Sequence, residues 1–210
     1  MSSVLNLRLA FATMLLAGLV LAGSALARSA VEIDEEIYPD ILFPSVVLET
    51  SAGDIVVELD RRRAPVTVNN FLRYVDSGRY DGTLFHRVVA DFVVQGGGYL
   101  EDLTGIETFG PIINESGNGL VNEPGTIAMA RHRDPHSGTS QFYFNLDDNS
   151  SLDPRRQNWG YTVFGRVLQG MEVVETIAAG ETRFEEGLDS TDFPVEPVIL
   201  KKARLSDDSM

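Results

Sequence analysis

The sequence predicts a mainly β protein, a closed antiparallel barrel accompanied by two helices. Short β-rich runs recur along the chain with glycine and asparagine between them, and only two segments have the apolar spacing of a helix. Strands and helices do not alternate as they do in a parallel sheet, which favours a closed antiparallel barrel. The 210 residues are enough for one domain with a buried core.

The first two strands are predicted to form a hairpin. Residues 46–50 and 55–59 are β-rich runs on either side of a short turn that contains Gly53. Two such runs around a glycine-containing turn are typical of a β-hairpin.

A helix is predicted next, over residues 65–78. Apolar side chains recur there at helical spacing between Pro65, which is typical of a first helical turn, and Gly78, which is typical of the residue that ends a helix. The second predicted helix covers residues 171–179 and has a glycine on each side.

The remaining β-rich runs are predicted to complete the barrel. They cover residues 83–89, 92–95, 126–130, 141–145, 161–168 and 198–205. The glycines at 96–98 resemble a phosphate-binding loop, but no Lys-Ser/Thr pair follows them and they precede no helix. We therefore expect a tight corner of the barrel at these glycines.

Residues 1–27 are typical of a secretory signal peptide. Arg8 precedes an apolar run that ends in small residues, and Ala25-Leu26-Ala27 has the pattern that signal peptidase accepts. We expect cleavage after Ala27, a mature chain that begins at Arg28, and an exported protein without stable membrane association. The alternative is an uncleaved N-terminal helix that anchors the chain, because the apolar run approaches the ~20 residues that span a bilayer.

The mature chain is predicted to consist of one domain with short appendages. Residues 28–44 are acidic and have no regular period, so we expect a flexible lead-in. Residues 45–206 contain all the predicted strands and helices, and residues 207–210 form a polar tail.

Composition excludes several classes of function. The chain has 17 Lys and Arg against 31 Asp and Glu, a net charge of −14, which disfavours binding to nucleic acids and anionic membranes. Cysteine is absent, which excludes disulfides, thiolate nucleophiles and cysteine-ligated metal sites.

Two other kinds of catalytic site have little support. Ser140 lacks the second glycine of a nucleophile elbow, which disfavours a serine hydrolase. His132 and His136 have the spacing of a metal pair on a helix, but Pro135 between them disrupts a helix, and no third ligand is indicated. We therefore predict no metal site. A metal-dependent hydrolase stays possible only if these two histidines bind a metal tightly.

Arg87 is the most unusual charged residue, because it lies in an apolar strand. A buried Arg needs a partner, and one interpretation is a structural ion pair. The other interpretation is a binding site with Gln95, eight residues later, whose amide a bent strand pair could bring beside the guanidinium. An Arg oriented by a neutral amide among aromatic side chains suits a neutral, partly apolar ligand.

The segment around Arg87 also resembles a known family. Phe85-His86-Arg87-Val88-Val89, followed by Phe92 to Gly98, resembles the signature of the cyclophilins, which are peptidyl-prolyl cis–trans isomerases. Residues 125–131, 140–144 and 163–167 resemble further blocks of that family in the same order. With its signal peptide, the chain is most similar to the exported cyclophilins of Gram-negative bacteria, which implies a periplasmic location.

The resemblance implies an eight-stranded antiparallel barrel capped by two helices over residues 45–206. It implies an isomerase that accelerates rotation about X-Pro bonds without any cofactor and assists the folding of exported proteins. Its substrates would be proline-containing unfolded or partly folded polypeptides, and we expect a monomer. The alternative is a non-catalytic module or chaperone on the same fold that binds proline-containing peptides.

The resemblance also implies a set of site residues. Arg87 would be the main catalytic residue, and Gln95 would hold Arg87 and contact the substrate backbone. The substrate-binding residues would be Phe92, Val93, Ala130, Arg131, Gln141, Tyr143, Leu152 and Tyr161.

Three departures from the family pattern bear on this site, and one of them is Val93, which is smaller than the common Met. Ser151 stands where cyclosporin-sensitive relatives have Trp, so we expect weak cyclosporin binding. Trp159 lies eight residues later, and two positions stay open for it: folded back over the pocket, or packed in the core or against a loop. Tyr143 replaces the usual Phe and adds a hydroxyl that needs a hydrogen-bond partner.

Overall fold

A computed structural model describes residues 36–207. The predicted signal peptide, its cleavage site and most of the acidic lead-in lie outside these residues. Among the residues described, no helix is long and apolar enough to cross a membrane.

Residues 36–207 contain ten strands, and eight of them close into an antiparallel barrel, as predicted. The strands are β1 (Ser45–Thr50), β2 (Asp54–Leu59), β3 (Thr83–Val89), β4 (Val93–Leu100), β5 (Thr126–Met129), β6 (Phe142–Asn145), β7 (Val163–Gln169), β8 (Thr182–Glu185), β9 (Ser190–Pro194) and β10 (Ile199–Leu205). The order around the barrel is β1-β10-β3-β4-β6-β5-β7-β2, and pairing of β1 with β2 closes it.

The two predicted helices are also present, as α1 (Pro65–Asp76) and α2 (Met171–Ala178). The apolar side chains of both helices belong to the same buried cluster as the inward side chains of the barrel. Phe71 of α1 illustrates the packing, since its ring centroid lies 5.1 to 5.4 Å from those of Tyr80, Phe142 and Phe164. The helices therefore complete the core.

The corner predicted at the three glycines lies within a strand, because β4 continues through them to Leu100. The pairing of β3 with β4 shifts register twice along this stretch, so the strand bends without ending. Gly97 has a φ of 77°, and a Cβ there would lie 2.8 Å from the ring of Phe142. The glycines are thus needed for close packing inside a strand.

Strands β8 and β9 form a hairpin that was not predicted. They pair with each other outside the barrel, and β9 packs beside β3. Most side chains of the hairpin are exposed. Phe193 is its largest buried apolar side chain, and the guanidinium of Arg183 lies over the Phe193 ring. The hairpin brings Asp192 of β9 next to Arg87.

The described end of the acidic lead-in contacts the domain. The Ile37 amide donates to Asn69 Oδ1, and the Arg61 side chain donates to the carbonyls of Ile37 and Ile41. Residues that precede the first strand therefore contact the domain.

Candidate active site

The site is built on one row of paired residues that crosses neighbouring strands. Arg87 on β3 is paired with Gln95 on β4, Gln95 with Tyr143 on β6, and Tyr143 with Ala128 on β5. Because side chains alternate between the two faces of a strand, these four share one face, opposite core residues such as Val94. Arg87 and Gln95 are therefore neighbours, as expected if β3 and β4 form a bent strand pair.

A pocket of about 280 Å³ lies over this row. Its floor is formed by Val93 and Tyr143, which belong with Ala128 and Val163 to a buried cluster separate from the core. Nine of the ten predicted site residues line it: Arg87, Phe92, Val93, Gln95, Ala130, Arg131, Tyr143, Leu152 and Tyr161. Gln141, the tenth, lines an adjoining cavity of about 110 Å³ that shares Gln95, Ala130 and Arg131 with the pocket.

Arg87 forms an ion pair with Asp192 of the β8–β9 hairpin. The distance from Arg87 Nε to Asp192 Oδ2 is 3.2 Å, and each side chain is about one-third exposed. The ion pair of the first interpretation is therefore present, and Arg87 also lines the pocket that the second interpretation requires.

The amide of Gln95 also has a partner on the neighbouring Gln141. Gln95 Nε2 donates to Gln141 Oε1 at 2.7 Å, whereas the charged partner of Arg87 is Asp192. Gly98 makes this arrangement possible, because a Cβ at that position would lie 2.6 Å from Gln141 Nε2. Gln95 and Gln141 thus form one amide pair at the edge of the pocket.

The extra hydroxyl of Tyr143 has a protein partner. Tyr143 Oη donates to Asn122 Oδ1 at 2.8 Å, and the amide groups of Asn122 donate in turn to Asp153 Oδ1. Burial raises the pKa of Tyr143 well above its usual range, so the hydroxyl stays neutral. Sequence reasoning missed Asn122, because nothing near it in the chain marks it as a partner of Tyr143.

The side chain of Arg131 supports a loop at the rim of the pocket. Its guanidinium lies 4.3 Å from the ring centroid of Tyr161 and donates to the carbonyls of Trp159 and Gly160. The neighbouring Ala130 amide donates to the Gln141 carbonyl at 2.9 Å, so that N–H is already paired. A peptide bound beside Ala130 would therefore use its carbonyl oxygen.

Trp159 is neither in the core nor a wall of the pocket. It is 52% exposed, so the core position is wrong, and it lines a different cavity. Its ring contacts His136 edge-on at a centroid distance of 5.0 Å, which fits the loop-packing position. Ser151 is exposed, and no tryptophan stands beside the pocket in the part of the chain described.

His86 and His136 both contact other residues of the domain. His136 Nδ1 accepts from the Asn114 amide, and within residues 36–207 no group of three or more His, Asp or Glu side chains could hold a metal. His86 is buried on β3 against Tyr99, and burial lowers its pKa to about 4.

This arrangement suits a neutral ligand with an apolar ring and an amide. The floor of the pocket is apolar, the guanidinium of Arg87 lies at one edge, and the Gln95–Gln141 pair lies at another. An apolar ring would bury surface on the floor while its amide met the polar edge.

Comparisons with known proteins agree with this geometry. Residues 45–205 match the model of a family described as cyclophilin type peptidyl-prolyl cis-trans isomerase. A peptidyl-prolyl cis-trans isomerase of Streptomyces antibioticus is 49% identical over 164 residues, which cover 77% of this chain and 98% of the relative. Peptidyl-prolyl cis-trans isomerase B of Escherichia coli is 43% identical over 165 residues, which cover 77% of this chain and 99% of the relative.

Solved structures show the same fold. A cyclophilin-type isomerase of Cryptosporidium parvum superposes with a TM-score of 0.64 at 24% identity, covering 79% of this chain and 98% of its own. The fold, the family match and the identity to curated relatives agree. This chain belongs to the cyclophilin-type peptidyl-prolyl cis–trans isomerases.

Proposed function

We propose that this protein catalyses cis–trans isomerisation of X-Pro bonds in exported polypeptides, with Arg87 as its catalytic residue. The observation that carries the proposal is the position of Arg87, fixed by Asp192 at the edge of a pocket with an apolar floor. The proline ring would lie on the floor formed by Val93 and Tyr143, beneath Phe92 and Leu152 at the rim.

The chemistry follows from amide resonance. Rotation about a peptide bond meets a barrier of ~18–20 kcal/mol because twisting the bond breaks the conjugation of the nitrogen lone pair. In the twisted state that lone pair can accept a hydrogen bond. A guanidinium beside the prolyl nitrogen therefore stabilises the twisted state more than the planar one, which lowers the barrier.

The ion pair with Asp192 leaves Arg87 able to act in this way. A guanidinium has five N–H donors, and pairing through Nε leaves the terminal amino groups for a bound peptide. The Gln95–Gln141 pair would hold the peptide backbone, since each amide keeps polar atoms that their mutual hydrogen bond does not use. The reaction needs no nucleophile and no cofactor, because no covalent bond forms or breaks.

The N-terminal sequence supports a role in the periplasm. Cleavage after Ala27 would release a monomer beginning at Arg28, free to act on partly folded polypeptides during export. Mass spectrometry of the protein from its native cells should find Arg28 at the N-terminus. A chain that retains Arg8 would favour the membrane-anchored form instead.

The test of the catalytic role compares Arg87→Ala with Arg166→Ala in a prolyl isomerisation assay. Arg166 is an exposed arginine on β7 that also has a carboxylate partner, Glu58, so it controls for loss of a surface ion pair. We expect Arg87→Ala to lower kcat/KM by roughly 10²–10³, as for loss of one transition-state donor, and Arg166→Ala to have little effect. A folded Arg87→Ala protein with nearly full turnover would refute the role of Arg87. A wild-type protein that binds proline peptides without turnover would favour the non-catalytic alternative.

A further inference from the structure

A second cavity, of about 410 Å³, lies beside the loop that borders the pocket. We call it the Arg–Trp groove; its lining consists of Ser116, Gly117, Pro154, Arg155, Arg156, Gln157, Asn158 and Trp159. Most of these residues belong to one small hairpin, in which Arg155 and Asn158 exchange backbone hydrogen bonds of 2.9 and 3.0 Å. Arg156 and Gln157 therefore stand at its tip.

The hairpin is continuous with the pocket. Its two ends are joined by a hydrogen bond from the Tyr161 amide to the Leu152 carbonyl, and both of these residues line the pocket. Arg131, which also lines the pocket, donates to the Trp159 carbonyl at 2.9 Å. A polypeptide with its proline ring in the pocket would thus have its neighbouring residues close to the groove.

The groove contains two adjacent positive charges. Arg155 and Arg156 are exposed, and neither has a carboxylate partner within residues 36–207. In the same part of the chain, carboxylates pair with Arg79, Arg87, Arg166, Arg183 and Arg204. A protein with a net charge of −14 therefore leaves two adjacent guanidinium groups unneutralised beside its pocket.

Trp159 adds an apolar surface to these charges. It is the single tryptophan of the chain and is 52% exposed, although an exposed indole loses the free energy that its burial would provide. Exposed tryptophan and arginine side chains are enriched where proteins bind other polypeptides. The groove therefore combines the side chains typical of peptide binding with one sign of charge.

We propose that the Arg–Trp groove binds an acidic segment of the polypeptide whose prolyl bond lies in the pocket. The inference rests on the proposed isomerase function and specifies its substrate class, namely prolines that have Asp or Glu nearby. Arg155 and Arg156 would pair with the carboxylates, and Trp159 would cover the adjoining apolar surface. These local charges would also offset the repulsion between the acidic body of the protein and an acidic substrate.

Trp159 provides the measurement, because fluorescence of the single tryptophan reports on the groove itself. The mature protein is titrated with proline peptides that carry a run of Asp on the N-terminal or the C-terminal side, and with matched peptides that carry Asn. We expect one Asp peptide to bind about three- to tenfold more tightly than its Asn counterpart, the range for two exposed ion pairs. The preference should disappear between 0.1 and 1 M salt, as the Debye length falls from ~10 to ~3 Å.

The variant Arg155→Gln/Arg156→Gln should remove the preference while keeping Trp159 as the probe. Lys201→Gln/Lys202→Gln is the matched control, because it removes the same charge from two exposed, adjacent residues of β10 that line neither the pocket nor the groove. The control should keep the preference. It should also turn over the Asn peptides at the wild-type rate.

Three outcomes would overturn the proposal. The first is equal affinity for Asp and Asn peptides in the wild type, and the second is a preference that survives in the arginine variant. The third is a Trp159 signal that depends on protein concentration without peptide, which would assign the groove to a second copy of the chain. Failure of the isomerase function is distinguishable, because then even the Asn peptides would not be turned over.

Discussion

Asp192 offers the sharpest test of how the site works, because its only described link to the pocket is Arg87. Replacing Asp192 with Asn removes the charge and keeps the size of the side chain. Both partners of the ion pair are about one-third exposed, so the pair should contribute only about 0.2–1 kcal/mol to stability. The protein should therefore stay folded.

The expected effect on catalysis is larger in kcat than in KM. Without the carboxylate, the guanidinium can rotate away from the prolyl nitrogen, which weakens a contact that matters most in the twisted state. A loss of about 1 kcal/mol corresponds to roughly a fivefold lower kcat. KM should change little, because the apolar floor formed by Val93 and Tyr143 is untouched.

Exchange NMR on a proline peptide measures both constants, and Asp189→Asn is the matched control. Asp189 lies on the same hairpin and has a φ of 48°, a conformation that Asn tolerates. Arg87→Ala/Asp192→Asn completes a double-mutant cycle. If Asp192 acts through Arg87, its replacement should cost nothing further once Arg87 is gone. Full activity in Asp192→Asn, or an equal loss in the Arg87→Ala background, would refute the positioning role.

Two further predictions concern His86 and Ser151, which do not line the pocket. Burial lowers the pKa of His86 from about 6.5 to about 4, so protonation should oppose folding increasingly as pH falls through that range, by up to about 3 kcal/mol. Urea unfolding from pH 7 to 4 should show a smaller loss of stability for His86→Gln than for wild type or the exposed control His132→Gln, and parallel profiles would contradict this. Cyclosporin should bind weakly, and Ser151→Trp should tighten binding by roughly tenfold or more if the missing indole is the cause, since buried Trp contacts can exceed 2 kcal/mol. Unchanged cyclosporin affinity in a folded Ser151→Trp protein would show that another feature sets it.

The barrel and its helices were predictable because their signals are local. Each barrel strand is a short β-rich run with turn residues nearby, and α1 has its apolar spacing between Pro65 and Gly78. The β8–β9 hairpin has no such signal, because it buries little apart from Phe193 and Pro194. The position of the hairpin depends on packing of β9 beside β3, and this long-range contact cannot be predicted from one sequence.

The same distinction applies within the site. Arg87, Gln95 and Tyr143 lie in motifs that could be recognised along the chain, and their pairing across the strands follows from the barrel. Asp192 and Asn122 could not be assigned in advance, because each is defined by a partner far away in the sequence. The hydrogen bond from Gln95 to Gln141 was not predicted for a related reason, because the two residues are far apart in the sequence and Gly98 gives the Gln141 side chain its space.

The two parts of the proposed substrate site differ in how firmly they are held. The row from Arg87 to Ala128 lies on paired barrel strands, where a shift of one side chain would disturb the core beneath it. The hairpin with Arg155 and Arg156 depends on a few backbone bonds and on the Arg131 side chain, and its tip is exposed. Stabilising a twisted amide requires precise placement, whereas pairing flexible carboxylates with exposed guanidinium groups does not. We therefore expect the barrel residues to catalyse rotation about the prolyl bond and the hairpin with Arg155 and Arg156 to select among peptides.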